Sequence, residues 1–113
     1  MKLFGRNQKN ALTLSQAREA LDNPIQSAPR FAIAAALASV EDTDYQTLKD
    51  ALDMSYSLMT KHITILEEAR IVEVTKTFVG RTPVTRLKLT DEGRKAYNAH
   101  LAALDRLVQG LAG

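Results

Sequence analysis

The hydrophobic pattern of this 113-residue chain changes its period once, near residue 70, and this change limits the folds that the chain can adopt. Before it, apolar residues recur with the spacing of about 3.6 residues that indicates amphipathic helices. After it, residues 71–79 are rich in β-branched and aromatic side chains, and residues 84–89 alternate as a strand does. The sequence therefore predicts a mainly α-helical domain with one small β-hairpin.

The first two predicted helices lie near the amino terminus. Thr13 and Gln16 fit a capping box, which predicts a short helix over residues 13–22 that ends before Pro24. An Ala-rich helix opens near Ser27 and runs to about residue 38, since proline is tolerated in a first helical turn. The residues before Thr13 show neither a helical nor a strand period and are expected to form a loose basic leader.

A loop and two further helices are predicted between residues 41 and 69. The acidic residues 41–44 are expected to form a loop, and a short helix follows over about residues 46–52. Ser55 caps the fourth helix, because its side chain can accept a hydrogen bond from an N–H group of the first turn. Helix, tight turn and helix form the outline of a helix-turn-helix. One apolar stripe of the fourth helix is predicted to be core: Leu58, Met59, His62, Ile63, Leu66 and Ala69.

The hairpin is predicted to have a turn at residues 80–83, where glycine and proline occur. In its second strand Leu87 and Leu89 alternate with Arg86 and Lys88, so the leucines point inward and the cations point to solvent. Thr90 then caps the last helix, with two acids in its first turn that complement the helix dipole.

Charge is distributed unevenly, although the net charge is only +2. Residues 41–53 hold five acids and one base, whereas residues 76–88 hold four bases and no acid. A basic rim of this kind is the footprint expected of a phosphate-backbone contact, and a solvated hairpin gives the same composition.

Several classes of function lack their required residues. The chain has no cysteine and two histidines, so thiol catalysis, disulfides and thiolate metal sites are excluded, and no metal or other cofactor is predicted. No Gly-rich phosphate loop or nucleophile elbow occurs, so an enzyme is not expected. No signal peptide or transmembrane run is apparent, which predicts a cytoplasmic protein without a membrane partner.

The order of these features resembles the winged helix-turn-helix domains of prokaryotic transcriptional regulators, in particular the short MarR-like and ArsR-like proteins. The resemblance covers about residues 24–110 and rests on residues 29–33, the recognition position at 58–69, the wing at 76–83 and the entry to the last helix at 89–94. It implies a basic leader and short helix at 1–23, a winged helix-turn-helix domain at 24–95 and a dimerisation helix at 96–113. The family usually has glycine where this chain has Arg70, and often where it has Asp53.

The resemblance implies that a homodimer binds duplex DNA in a sequence-specific way and regulates transcription, acting as a repressor by steric occlusion. The exposed side of the fourth helix would read the major groove, because it combines short hydrogen-bonding side chains with one cation and no acid. The wing would contact the minor groove and the phosphates. The predicted DNA-binding residues are Ser55, Tyr56, Ser57, Thr60, Lys61, Thr64, Lys76, Arg81, Thr82 and Arg86.

The last helix carries a heptad seam that predicts the dimer interface, together with the amino-terminal helix. The seam residues are Tyr97, Leu101, Leu104 and Val108. Intramolecular packing is the alternative use of this stripe. The alternative function is a winged-helix protein-interaction module without DNA binding, and an unknown small-molecule effector is a further partner that the sequence allows.

Overall fold

We describe residues 11–112 of a computed structural model; the predicted leader lies mostly outside this range. Within residues 11–112, five α-helices and three strands follow one another, with short 3₁₀ turns at Pro24–Gln26 and Gly110–Ala112. The elements are α1 (Leu14–Ala20), α2 (Ala28–Ala38), β1 (Thr43–Asp44), α3 (Tyr45–Ala51), α4 (Tyr56–Glu68), β2 (Val72–Val79), β3 (Thr82–Leu89) and α5 (Asp91–Gln109).

The helices begin where their capping residues predict. Thr13 and Gln16 form the full capping box of α1. The Ser55 side chain accepts from the backbone N–H of Leu58 at the start of α4, and the Thr90 side chain accepts from that of Gly93 at the start of α5. These caps satisfy N–H groups that have no partner inside the helix, which confirms the predicted starts of all three helices.

The sheet differs from the prediction in two places. Residues 43–44 form a strand rather than part of a loop, because Thr43 and Asp44 pair with Leu87 and Arg86 of β3 and give a three-stranded antiparallel sheet in the order β1-β3-β2. The hairpin turn is also shorter than predicted. It contains two residues, Gly80 and Arg81, and the strands pair up to Val79 and Thr82.

The core lies between α2, α4, α5 and the sheet. Ile33 and Leu37 of α2, Met59 and Leu66 of α4 and Leu87 of β3 are at most 1% exposed. The predicted core stripe of α4 is wrong at its two ends, where Leu58 and Ala69 are exposed. Burial requires a neighbouring element, and the elements that cover the middle of α4 leave those positions open.

Two turns use a left-handed backbone at residues other than glycine. Asp53, between α3 and α4, has φ 52°, and Arg70, after α4, has φ 62°. The conformation is the one that the family resemblance implies at both positions. Because Arg70 carries a Cβ, its backbone is strained relative to glycine.

No helix among residues 11–112 is long and apolar enough to cross a membrane.

Candidate nucleic-acid interface

A cleft of about 610 Å³ lies between the exposed side of α4 and the β2–β3 hairpin. It brings together five of the ten residues predicted to bind DNA. Tyr56, Thr60 and Thr64 line it from α4, and Lys76 and Thr82 line it from the hairpin. The polar side of the recognition helix and part of the basic hairpin therefore open onto one surface.

The remaining predicted residues of α4 lie outside this cleft. Ser57 and Lys61 are exposed but do not line it. Ser55 is exposed as well, and its hydroxyl oxygen accepts from the N–H of Leu58 at 3.1 Å, so this side chain has a structural role as a cap. In the part of the chain that the structure describes, Lys61 forms no salt bridge.

Tyr45 of α3 contributes to the cleft and was not among the predicted site residues. Its hydroxyl lies 2.6 Å from the hydroxyl of Thr60, and its ring centroid lies 5.5 Å from that of Tyr56. The sequence places Tyr45 on the inward face of α3 with Leu48, and that spacing carries no signal of a hydrogen bond to the next helix. The contact holds Thr60 in place on the surface of α4.

The two faces of the hairpin carry different charges. Directly opposed residues of antiparallel strands share a face, so the register places Lys76 and Thr85 on the same face as the half-buried Val74 and the buried Leu87. We call this the inner face. It consists of Val72, Val74, Lys76, Phe78, Pro83, Thr85, Leu87 and Leu89.

The outer face consists of Glu73, Thr75, Thr77, Val79, Thr82, Val84, Arg86 and Lys88. Thr82 and Val84 of this face also line the cleft near the turn. The two cations of the outer face are paired with acids from outside the predicted basic segment. Arg86 contacts Asp42 at 2.7 Å, and Lys88 contacts Glu73 at 3.2 Å. Residues 76–88 contain no acid, but Asp42 and Glu73 neutralise part of the positive charge of this segment in the folded chain.

The Arg86 pair belongs to the junction between β1 and β3. The hydrogen bond to Asp42 raises the pKa of the Arg86 guanidinium. The neighbouring Asp44 accepts from the backbone N–H and the hydroxyl of Thr47, both at 2.7 Å, and these bonds lower the pKa of Asp44. Asp44 therefore stays ionised at neutral pH. The predicted contact of Arg86 with DNA would compete with the hydrogen bond to Asp42.

His62 anchors α4 to the core. It is buried, and the guanidinium of Arg30 in α2 donates to its Nδ1 at 3.1 Å. Burial is the main cause that lowers the pKa of His62, and the nearby charges of Arg30 and Lys61 act in the same direction. The neutral ring accepts the bond from Arg30, which is the packing role that the sequence favours. No group of three potential metal ligands occurs within residues 11–112.

The predicted dimer seam is partly used inside the chain. The Tyr97 ring lies 5.9 Å from Phe31 of α2, and Tyr97, Leu101 and Leu104 are half-buried. Val108 is 51% exposed. α1 packs along α5, and the carboxyl-terminal residue of the seam is the most exposed one. The dimer itself stays a prediction.

The comparisons with known proteins agree with this architecture. The family described as "Winged helix DNA-binding domain" matches residues 30–108. No curated protein matches the chain.

Solved structures share the fold at low sequence identity. The transcriptional regulator homologue protein from Pyrococcus horikoshii OT3 has a TM-score of 0.78 and 23% identity, over 83% of this chain and 94% of that one. The overoxidized AbfR bound to DNA has a TM-score of 0.69 and 16% identity, over 85% and 70%. NadR in complex with 4-hydroxyphenylacetate has a TM-score of 0.63 and 23% identity, over 96% and 86%.

Proposed function

The chain belongs to the winged helix DNA-binding domain family, and on that premise we propose that it binds duplex DNA as a homodimeric transcriptional repressor. The observation that carries the proposal is the shared cleft, in which Thr60 and Thr64 of α4 face Lys76 of the hairpin. A helix and a hairpin that open onto one surface can contact a major groove and the adjoining backbone together.

In this proposal the exposed side of α4 lies in the major groove. Ser57, Thr60, Lys61 and Thr64 are exposed there and offer both donors and acceptors to base edges. The acids of α4, Glu67 and Glu68, stand at the end of the helix, where Glu67 also lines the cleft. Sequence preference would therefore reside mainly in the first three turns of α4.

The hairpin supplies charge through Lys76 and Arg81. Lys76 lies on the inner face beside α4, and Arg81 lies exposed in the turn. Within the described residues neither side chain forms a salt bridge. We assign Lys76 to a phosphate and Arg81 to the minor groove, where the negative potential favours arginine. Arg86 is the weakest member of the predicted set because Asp42 already holds its guanidinium.

The dimer would place two copies of α4 in successive major grooves, about 34–36 Å apart. The exposed end of the seam supports this arrangement, since Val108 is 51% exposed and Leu111, in the 3₁₀ turn after α5, is 95% exposed. A bound dimer would repress transcription by covering the DNA that a polymerase needs. NadR, which shares the fold, was solved with 4-hydroxyphenylacetate, and we include an as yet unidentified small-molecule effector in the proposal.

The experiment is a selection of bound sequences from a random duplex library, followed by fluorescence anisotropy with the selected duplex and a scrambled one. We expect the selected duplex to bind at least about a thousandfold more tightly at physiological salt. Thr64→Ala should weaken binding of the selected duplex by about 1–3 kcal/mol if Thr64 contacts a base. Thr75→Ala, on the outer face, is the matched control and should bind as the wild type does.

A chain that binds no duplex at low salt would refute the proposal, and it would favour the protein-interaction module. Equal affinity for selected and scrambled duplexes would leave DNA binding in place but would refute sequence-specific recognition.

A further inference from the structure

The tip of the hairpin exposes two large apolar side chains next to each other in sequence. Phe78 is 67% exposed and Val79 is 70% exposed, whereas Val72 at the start of the same strand is 2% exposed. Single exposed apolar residues are common on protein surfaces. The strand register directs Phe78 to the inner face and Val79 to the outer face, so the projecting tip presents an apolar side chain on each side. Apolar surface exposed in this way points to an interaction site.

The backbone holds this tip in a defined position. The strands pair without interruption up to Val79 and Thr82, and the turn between them has two residues. Gly80 adopts φ 62°, which glycine can do without a steric cost, and this conformation closes the tight turn of the hairpin. Pro83 of β3 lies directly opposite Phe78, outside the part of β3 that pairs with β1. Its fixed φ further restricts the backbone beneath the aromatic ring.

The charges around the tip identify the kind of partner. Arg81 lies in the turn directly after the apolar pair, and within the described residues neither Arg81 nor Lys76 forms a salt bridge. Arg86 and Lys88, the other two cations of the hairpin, are already paired with acids. Lys76 lies on the same face of the hairpin as Phe78, two residues closer to the cleft. A partner that matches this tip must be negatively charged at its surface and must have stacked apolar groups in its interior. Duplex DNA has both, in its phosphates and its base pairs.

We propose that Phe78 inserts as a wedge between two base pairs in the minor groove and kinks the duplex, with Arg81 beside it in the groove. This inference rests on the proposed DNA-binding function. Phenylalanine side chains that enter the minor groove partly unstack a base step and bend the DNA toward the major groove. The register places Phe78 on the same face of the hairpin as Lys76, which lines the cleft with α4, and the Phe78 side chain lies outside the cleft toward the tip. Because of the wedge, the protein prefers duplexes that have an easily unstacked pyrimidine–purine step at the point of insertion. No polar side chain needs to contact the bases of that step.

The test uses the selected duplex with 2-aminopurine placed at successive adenines, and with a donor and an acceptor dye at its ends. Binding of the wild type should raise the 2-aminopurine fluorescence at one step in each half-site and should shorten the distance between the ends. Phe78→Ala should abolish both signals and weaken binding about tenfold, the size expected for one lost stacking contact. Phe78→Leu should keep most of the bend, since leucine also serves as a wedge.

Thr77→Ala, on the outer face of the same strand, is the matched control and should distort the duplex as the wild type does. If Phe78→Ala binds and bends the duplex as the wild type does, the wedge is refuted while DNA binding stands. If Phe78→Ala changes the mass measured by sedimentation and leaves the DNA distortion intact, the tip is a contact between copies and the inference is also refuted. A wild type that binds no duplex refutes both this inference and the proposed function.

Discussion

Gly93 fixes how closely the start of α5 approaches the strand that leads into the hairpin, and its replacement gives the sharpest prediction about stability. A Cβ built on Gly93 would lie 2.0 Å from the carbonyl oxygen of Ile71 and 2.8 Å from its carbonyl carbon. Ordinary carbon–oxygen contacts are about 3.3–3.6 Å, so Gly93→Ala requires a backbone shift of more than about 1 Å. The atoms that must move are backbone atoms of α5 and of Ile71, which directly precedes β2, and backbone atoms cannot rotate away as a side chain would.

Two hydrogen bonds depend on the same approach. The Thr90 N–H donates to the Ile71 oxygen at 3.0 Å, and the Thr90 hydroxyl donates to the Arg70 oxygen at 2.6 Å. Overpacking costs about 1–3 kcal/mol, each lost bond costs about 1 kcal/mol, and the better helix propensity of alanine returns about 1 kcal/mol. We therefore expect Gly93→Ala to lower the free energy of unfolding by about 2–4 kcal/mol.

Urea unfolding followed by circular dichroism at 222 nm measures this change. Gly110→Ala is a suitable control, because a Cβ there meets nothing within 4 Å and the cost comes from its positive φ alone. That control should lose about 1–3 kcal/mol, because φ 64° with ψ −155° is a conformation that is essentially confined to glycine. A Gly93→Ala variant as stable as the wild type would refute the close approach of α5 to Ile71.

Four further results are expected. Arg70→Gly should stabilise the chain by about 0.5–1 kcal/mol in urea unfolding, since the relief of left-handed strain exceeds the entropy that glycine loses. Burial lowers the pKa of both His62 and His100 from the ordinary 6.5, so the unfolded chain binds more protons below that pH. The urea concentration at which half of the protein is unfolded should therefore decrease as the pH is lowered from 7.5 to 5.5. The decrease should be smaller when both histidines are replaced by glutamine. Leu104→Glu should convert the proposed dimer to a monomer in light scattering and weaken operator binding; a variant that stays dimeric would show that the seam packs within the chain. Arg81→Ala should weaken DNA binding by about 1–3 kcal/mol, and unchanged affinity would remove Arg81 from the interface.

The fold could be predicted from the sequence wherever the determinants are local. Thr13, Ser55 and Thr90 lie within three residues of the groups they cap, and the alternation of β3 is visible in six residues. The strand β1 could not be predicted, because its two residues pair with Leu87 and Arg86 more than forty positions away. Its acidic composition also favours a loop when read alone.

The same distinction applies to the candidate site. The exposed side of α4 follows from helical spacing, and the predicted residues do lie exposed there. The pairing of Arg86 with Asp42 and the contact of Tyr45 with Thr60 join residues from different elements. Charge counted along the sequence therefore overstates the free positive charge of the hairpin, since acids from neighbouring strands and loops reach its outer face.

The most direct test of a DNA-binding surface shared by α4 and the inner face of the hairpin is the salt dependence of duplex affinity. Lys76 and Lys88 are lysines of one hairpin on opposite faces, and Lys88 already contacts Glu73. In plots of log K against log salt concentration, Lys76→Ala should reduce the slope by about 0.9, the value of one phosphate contact. Lys88→Ala should keep the wild-type slope. Equal slopes for the two variants, or a wild type whose affinity does not depend on salt, would contradict the shared surface.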